Sequence, residues 1–367
     1  MSADFSAITV TLVGPKAPPA GGMANQTAQL KQLLENSGAK VSFVAVNADY
    51  KPAFIAKLPV IRALFRLPQY CCALYCSYAK ADVIHLMANS GWSWHLFAAP
   101  AIWLAKLRNK PVLVNYRGGH AEVFFQRSWR LVASSIRQSA GVIVPSIYLQ
   151  QVFNQFKQTS TIVPNILDPK LFYPSINDKT AKPFHLIVSR NLEAIYDVAT
   201  AIRAFDRFLP HYPNAILTIA GSGPERPALE ALVAQLALTG TVKFVGRLTS
   251  SEMASLYRSA DVMLNSSLVD NSPNSLIEAL ASGVPIISSN VGGIPLLVKH
   301  EFDSLLVPPA QPELIYQQLC RLHSEPALKQ RLIANGLESS KRFHWSSVSL
   351  ILLTQYQQAM AKKGIGI

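Results

Sequence analysis

The stretch Asn265–Pro295, NSSLVDNSPNSLIEALASGVPIISSNVGGIP, decides the fold. It reads as the end of a strand, a polar loop, a short helix, a buried strand and a glycine loop. Pro273 suits a first helical turn, where a missing N–H costs nothing, and Ser272, Asn271 or Asp270 can cap that turn. The helix is predicted from Asn274 to Ser282, stopping on Gly283 as a left-handed cap. Val284 to Ile287 then reads as a buried strand, and Gly292-Gly293 permit close approach of backbone to a ligand. Asp270 and Glu278 bracket the seven residues that open the helix. A helix start with exposed amides and flanking carboxylates suits a ligand carrying phosphates and sugar hydroxyls. An ordinary loop, helix and strand of an α/β domain explains the same residues.

On both sides of this stretch, strands alternate with helices. Ile8 to Gly14 is a strand, Gly21-Gly22 open a helical pattern through Leu30, Leu33 and Leu34, and Val41 to Val46 is a second strand. That is a βαβ unit, which requires a parallel sheet. The loop is neither a G-x-G-x-x-G nor a phosphate loop with its lysine. Pro59 and Pro68 predict two short helices between Phe54 and Ala79. Further strands are expected at ADVIHLMA, PVLVNYRGG and GVIVPS, with Arg117, Gly118, Gly119 and His120 where open α/β sheets bind ligands. Tyr173–Pro183 is polar and turn-rich, as a linker is. A second series of strands and helices follows it, and the tail from Trp345 is helical.

A chain of 367 residues accommodates two cores, since single cores stop growing at roughly 250–300 residues. Half of the residues are hydrophobic and no segment is low-complexity, which excludes a disordered chain. The longest apolar run, Leu96 to Ala105, is well short of the roughly 20 residues that span a bilayer, and the start of the chain does not read as a signal peptide. Four cysteines, three of them at Cys71, Cys72 and Cys76, fit neither a disulfide framework nor a zinc spacing, so reduced thiols and a cytoplasmic location are expected. The net charge of +13 is concentrated between Lys51 and Arg130, where eleven basic residues face only Asp82 and Glu122. Such a field attracts anionic membranes, phosphorylated substrates or nucleic acid. No nucleic-acid motif accompanies it, and no His/Asp/Glu cluster has metal-ligand spacing, so neither a nucleic-acid partner nor a metal cofactor is expected.

Several spaced motifs coincide: the early Gly-Gly loop, VPN-x-x-D-x-x-x-F at Val163–Phe172, SRN at Ser189–Asn191, and IAGSGP at Ile219–Pro224. FVGRL at Phe244–Leu248 and the Asp270–Glu278 pair with ALASGVP and VGGIP complete the series. In this order the chain resembles retaining glycosyltransferases of the GT-B fold, family 4 (group 1) type. The resemblance implies two facing Rossmann-like doubly wound α/β domains with a donor cleft between them. Residues 1–172 would form an acceptor domain, 173–183 a linker, 184–345 a nucleotide-sugar domain, and 346–367 a helix crossing back to the first domain. It implies transfer of a sugar from a nucleotide-sugar to an acceptor hydroxyl with no cofactor, in glycan synthesis of the bacterial envelope. A glycan or lipid-linked acceptor would be met at the inner face of the cytoplasmic membrane.

Residue by residue, the resemblance places Glu278 at the ribose hydroxyls and Asp270, a glutamate in the family, near the donor sugar. Backbone amides within Ser272–Ser275 would face sugar and phosphates, and Asn271, Ser272, Pro273, Asn274, Ser275 and Leu276 together would bind the donor. Arg190 falls at the diphosphate-binding arginine, but the lysine that usually follows is replaced within NLEAIYD. Gly21, Gly22 and Arg247 would supplement its charge. The first-domain histidine of many relatives aligns with Arg117, leaving His120 as a nearby variant, so that Asp270, Arg190, Arg117 and His120 are the catalytic candidates. A 2-epimerase on the same architecture, and a relative that binds nucleotide without turnover, are the alternatives.

Overall fold

The structure is a computed structural model that describes residues 2–17, 22–48, 61–175 and 183–362. Gly21, Pro59 and most of the expected linker lie outside the described residues. The chain divides into two compact units, residues 1–166 with 345–367, and residues 167–344.

In the first unit β1 (Thr9–Gly14), α1 (Gly22–Asn36) and β2 (Lys40–Ala45) form the opening βαβ unit. There follow α2 (Ile61–Tyr78), β3 (Val83–Ala88), a π-helical turn (Trp94–Ala98) running into α3 (Ala99–Leu107), and β4 (Val112–Tyr116). The series ends with α4 (Ala121–Ile136), β5 (Gly141–Val144), α5 (Ile147–Gln155) and β6 (Thr161–Ile162). The six described strands are parallel in the order β2-β1-β3-β4-β5-β6. One face of this sheet is covered by Leu74 and Tyr78 of α2, Ile102 of α3, Phe125 of α4 and Phe153 of α5. The other is covered by Leu30 and Leu34 of α1, together with Leu352 and Tyr356 of a final helix taken up below.

The expectation of two helices around Pro68 is corrected, because Ile61–Tyr78 is one helix with Pro68 inside it. Pro68 is exposed, and the burial of Tyr70, Leu74 and Tyr78 outweighs its lost hydrogen bond, a defect of about 3 kcal/mol.

The second unit contains β7 (His185–Ser189), α6 (Val198–Phe208), β8 (Ile216–Ala220), α7 (Arg226–Gln235) and β9 (Val242–Gly246). It continues with α8 (Ser250–Ser259), β10 (Val262–Asn265), α9 (Asn274–Ala281), β11 (Ile286–Ser289), α10 (Ile294–Leu297) and β12 (Leu305–Val307), and closes with α11 (Pro312–Ser324) and α12 (Pro326–Ser340). Its sheet is parallel in the order β12-β11-β10-β7-β8-β9. Counted from one within the unit, this is 3-2-1-4-5-6 read from the β9 edge, the doubly wound order of dinucleotide-binding domains. The final helix, α13 (Trp345–Ala361), belongs to the first unit, where Ser349 Oγ accepts the Ala3 amide at 3.0 Å.

Candidate functional site in the second unit

In a doubly wound sheet, the strand order reverses between the first and fourth strands, and the loops leaving those two strands diverge to open a crevice. Here they are β7 and β10, neighbours in the sheet. The loop after β7 begins with Arg190, and the loop after β10 runs through Asn265 to Asp270. The order of the strands alone therefore brings together two candidates that lie 80 residues apart in sequence.

Arg190 is held on three sides. Its Nε donates to Asn265 Oδ1 at 2.8 Å, an Nη2 proton goes to the Asp270 carboxylate, and its guanidinium carbon lies 5.2 Å from the centre of the Tyr196 ring. Asn265 is fully buried and is itself fixed by donating to Ser288 Oγ at 2.8 Å and accepting from Ser267 Oγ at 2.9 Å. Ser289 Oγ then donates to the Ser267 carbonyl at 2.6 Å. The polar ends of two buried strands, NSS and SSN, thus form a scaffold behind the guanidinium. Asp270 accepts the Asn271 amide at 2.9 Å through its other carboxylate oxygen. This Asp270 is an anchored partner of Arg190 and does not cap α9.

The helix α9 begins where expected, at Asn274, and gives way to Gly283 at φ +65°. Its start differs in one respect: Pro273 is the residue before the helix, with extended backbone and no side chain able to cap the first turn. The N-terminal amides of a helix carry partial positive charge, which favours an anion in front of them. Ser275, buried at the same end, has a hydroxyl with no partner among the described residues. The Leu276 side chain is fully buried in the core beneath the loop, and its amide bonds the Pro273 carbonyl at 3.2 Å.

Glu278 lies one turn further along. The Tyr257 hydroxyl donates to Glu278 Oε2 at 3.2 Å and to the Ser275 carbonyl at 3.1 Å, and it has one proton for both acceptors. Burial raises the Glu278 carboxyl to about pKa 7, while the Tyr257 hydroxyl and the charge of Arg190 pull it back down. A protonated Glu278 can donate to the tyrosine oxygen and leave its proton for Ser275. An ionised Glu278 calls for an additional donor.

Two glycines close the loops on one another. A Cβ at Gly221 would sit 1.8 Å from the Arg190 carbonyl oxygen, and a Cβ at Gly292, where φ is +54°, would sit 2.0 Å from the Asp270 carbonyl oxygen. The Gly293 amide donates to that same Asp270 carbonyl at 3.0 Å. At Gly292 the chain approaches its own backbone closely, and these glycines set the positions of Arg190 and Asp270. Arg247 directly follows Gly246, whose carbonyl accepts the Gly221 amide at 2.7 Å, so the exposed Arg247 leaves the sheet beside the Gly221–Ser222 loop.

The remaining candidates lie in the first unit. Gly22 opens α1 and is exposed. His120 is exposed immediately before α4 and does not cap it through its side chain. Arg117 leaves β4, whereas the order reversal of this sheet falls between β1 and β3, one strand away. Its guanidinium bonds Asn165, its Nε has no partner among the described residues, and burial lowers it to about pKa 10. Beside it the fully buried His85 takes a hydrogen bond from Asn115 at 3.0 Å and contacts the Tyr356 hydroxyl at 2.9 Å. Burial and then the charge of Arg117 hold that imidazole neutral, near pKa 3. His85, Asn115 and Arg117 line a cavity of about 20 Å³, room for one water molecule. Asn265, Ser267, Ser288, Tyr196 and Tyr257 join the site only in the folded chain. The polar residues ending buried strands were the available signal for the first three.

Residues 171–339 match the family model described as glycosyl transferases group 1. The chain is 32% identical over 164 residues to an uncharacterised glycosyltransferase of Methanocaldococcus jannaschii, covering 44% of this chain and 42% of that one. It is also 32% identical over 142 residues to the D-inositol 3-phosphate glycosyltransferase of Streptomyces bingchenggensis, covering 38% and 31%. The matched region thus spans less than half of the length of these relatives. Among solved structures, sucrose-phosphate synthase from Thermosynechococcus elongatus has the same fold, with a TM-score of 0.77 at 21% identity over 97% of this chain and 100% of that one. Anabaena HepE, solved in complex with UDP, gives 0.75 at 16% identity over 95% and 99%. The architecture is GT-B, and the chain resembles group 1 glycosyltransferases.

Proposed function

We propose that the protein is a glycosyltransferase that moves a sugar from a nucleoside diphosphate sugar to an acceptor hydroxyl with retention of configuration. The observation that carries this reading is the start of α9, set between the clamped Arg190–Asp270 pair and Glu278 at the order reversal of the sheet. Each part has a function on such a donor. The helix amides and Arg190 meet the diphosphate, Glu278 accepts from ribose hydroxyls, and the Ser275 hydroxyl and Asp270 lie at the start of the same helix for the sugar.

In the reaction the bond from the anomeric carbon to the phosphate oxygen breaks, and its electron pair leaves with the diphosphate. The acceptor oxygen bonds to that carbon on the same face, and its proton passes to the departing phosphate oxygen. The protein's contribution is to fix the charges that stabilise the leaving group before it forms. No protein nucleophile is required.

The experiment is a panel of UDP-, GDP- and ADP-sugars tested for thermal stabilisation, followed by product analysis of the donor that binds. A donor at 100 times its Kd stabilises by about 2.7 kcal/mol. Release of nucleoside diphosphate with a sugar-linked acceptor supports the proposal. A donor recovered with its mass unchanged and its sugar isomerised would establish an epimerase instead, and absence of turnover with every donor would establish a binding protein.

A further inference from the structure

We propose that the outer face of the helix layer α2–α3–α4 docks on an anionic lipid surface. These three helices lie side by side over one face of the first sheet, with Tyr78, Ile102 and Phe125 pointing inward in one core. Their opposite sides therefore form one continuous surface of the first unit. The link between α2 and the end of α3 is direct: the Arg108 guanidinium donates twice to the Tyr75 carbonyl, at 2.9 and 3.2 Å, and lies 3.6 Å from the centre of the Tyr75 ring.

That surface joins two properties that a soluble helix layer has no need to combine. The first is exposed apolar bulk: Leu107 is 73% exposed and Leu131 65%, with Trp103 and Val123 about half exposed. The second is charge of one sign. Lys80, Lys106, Arg127, Arg130 and Arg137 are exposed on it, while Asp82 and Glu122, the two acidic residues between Ile61 and Arg137, are half-buried. The two are interleaved at the level of neighbours, since Lys106 Nζ lies 5.3 Å from the Trp103 ring centre, and Arg130 adjoins Leu131 in α4.

Charge selects an anionic partner, and the apolar side chains decide which one. A phosphate backbone is held by cations and stacked aromatics, and gains nothing from Leu107 and Leu131 standing in solvent. A bilayer interface takes tryptophan and leucine into the headgroup boundary while anionic headgroups meet Lys and Arg. Among the described residues no helix is long and apolar enough to cross a membrane, so the contact is with the surface.

The test is flotation of the full chain with vesicles of phosphatidylglycerol and phosphatidylcholine against vesicles of phosphatidylcholine alone, across a salt series. The wild type is expected to float with the anionic vesicles, to do so at least tenfold more weakly with the neutral ones, and to be released by salt. Arg127→Glu/Arg130→Glu and Trp103→Ser/Leu107→Ser are each expected to lose at least tenfold in partitioning at an unchanged melting midpoint. Should either double variant fail to fold, Arg130→Gln alone is expected to lose severalfold. Equal flotation with both vesicle types, no flotation, or unchanged partitioning of the folded variants would overturn the proposal. So would retention of single-stranded or duplex nucleic acid through these same residues in preference to vesicles. None of these readouts depends on turnover of a nucleotide-sugar, so this proposal and the assignment of the donor site fail separately.

Discussion

Glu278→Gln separates the cost of the candidate site from its use. The carboxyl of Glu278 is raised from 4.5 to about 7 in the folded chain, chiefly because burial disfavours its charge. The native state therefore holds this proton more tightly than the unfolded state. The corresponding stability is fully present below about pH 4.5 and is lost as pH rises through about 7. At about 1.36 kcal/mol per pH unit, the folded protein gives up about 3 kcal/mol between those limits. Glutamine keeps the acceptor for Tyr257 and has no proton to lose. For a domain of this size, 1 kcal/mol moves the melting midpoint by roughly 2–4 °C. The unliganded wild type is thus expected to fall behind the glutamine variant by roughly 6–12 °C as the buffer is taken from about pH 5 to pH 8.5. Differential scanning calorimetry of both proteins measures this directly. With a nucleoside diphosphate present, the order is expected to reverse: on the proposed placement ribose hydroxyls would supply the donors that the ionised carboxylate lacks, so the wild type should gain stability from ligand at high pH and the variant little. Melting curves that run parallel across the pH range would refute the claim that an uncompensated carboxylate is stored at this position.

Asp270→Asn removes the charge that orients Arg190 while keeping the shape of the side chain, and kcat is expected to fall by about 10²-fold with nucleoside diphosphate affinity changed far less; an equal loss in both would make Asp270 a plain binding group. Gly292→Ala and Gly221→Ala place a Cβ within 2.0 and 1.8 Å of the Asp270 and Arg190 carbonyls, so transfer should drop severely. Each should also lower the unfolding free energy by at least about 1–3 kcal/mol, read by urea titration. Arg117→Met, which breaks the bond to Asn165 in the first unit, is expected to lower the melting midpoint and leave nucleotide-induced stabilisation intact. Unchanged stability with lost stabilisation by ligand would instead return Arg117 to ligand contact.

The doubly wound sheets were legible because buried parallel strands read as apolar runs, and VMLN and IISS are such runs with polar ends. The helix from Asn274 was legible from Pro273 and Gly283, two residues whose backbone restrictions are local. The role of Asp270 was not, since its carboxylate has a stronger partner 80 residues away in Arg190, and no local rule weighs that competition. The continuous α2 had the same origin, with burial along one helix face overriding the local preference of Pro68. Arg117 shows the limit from the other side. Its position at a strand end is a ligand signal, yet strand order, which sequence periodicity does not reveal, places the reversal of the sheet elsewhere.

The pairing of Arg190 with Asp270 bears on the missing lysine. A guanidinium has five N–H donors in one plane, and Arg190 commits one to Asn265 and one to Asp270. Three remain for a ligand, in a plane fixed by two hydrogen bonds and the face of Tyr196. A diphosphate can therefore bind without opening the ion pair, with Arg190 bridging phosphate and carboxylate. An ammonium group could not do this, because its three donors rotate freely and define no plane. The turn that carries Tyr196 is fastened to the β10 loop, where Leu268 donates its amide to the Ile195 carbonyl at 2.8 Å and Ser266 Oγ donates to the Tyr196 and Asp197 carbonyls at 3.2 and 2.7 Å. This segment supplies a rigid aromatic wall. On the proposed reading a diphosphate would be met by few charges held in fixed geometry, and such a site depends more on the orientation of its one arginine than on the number of cations around it.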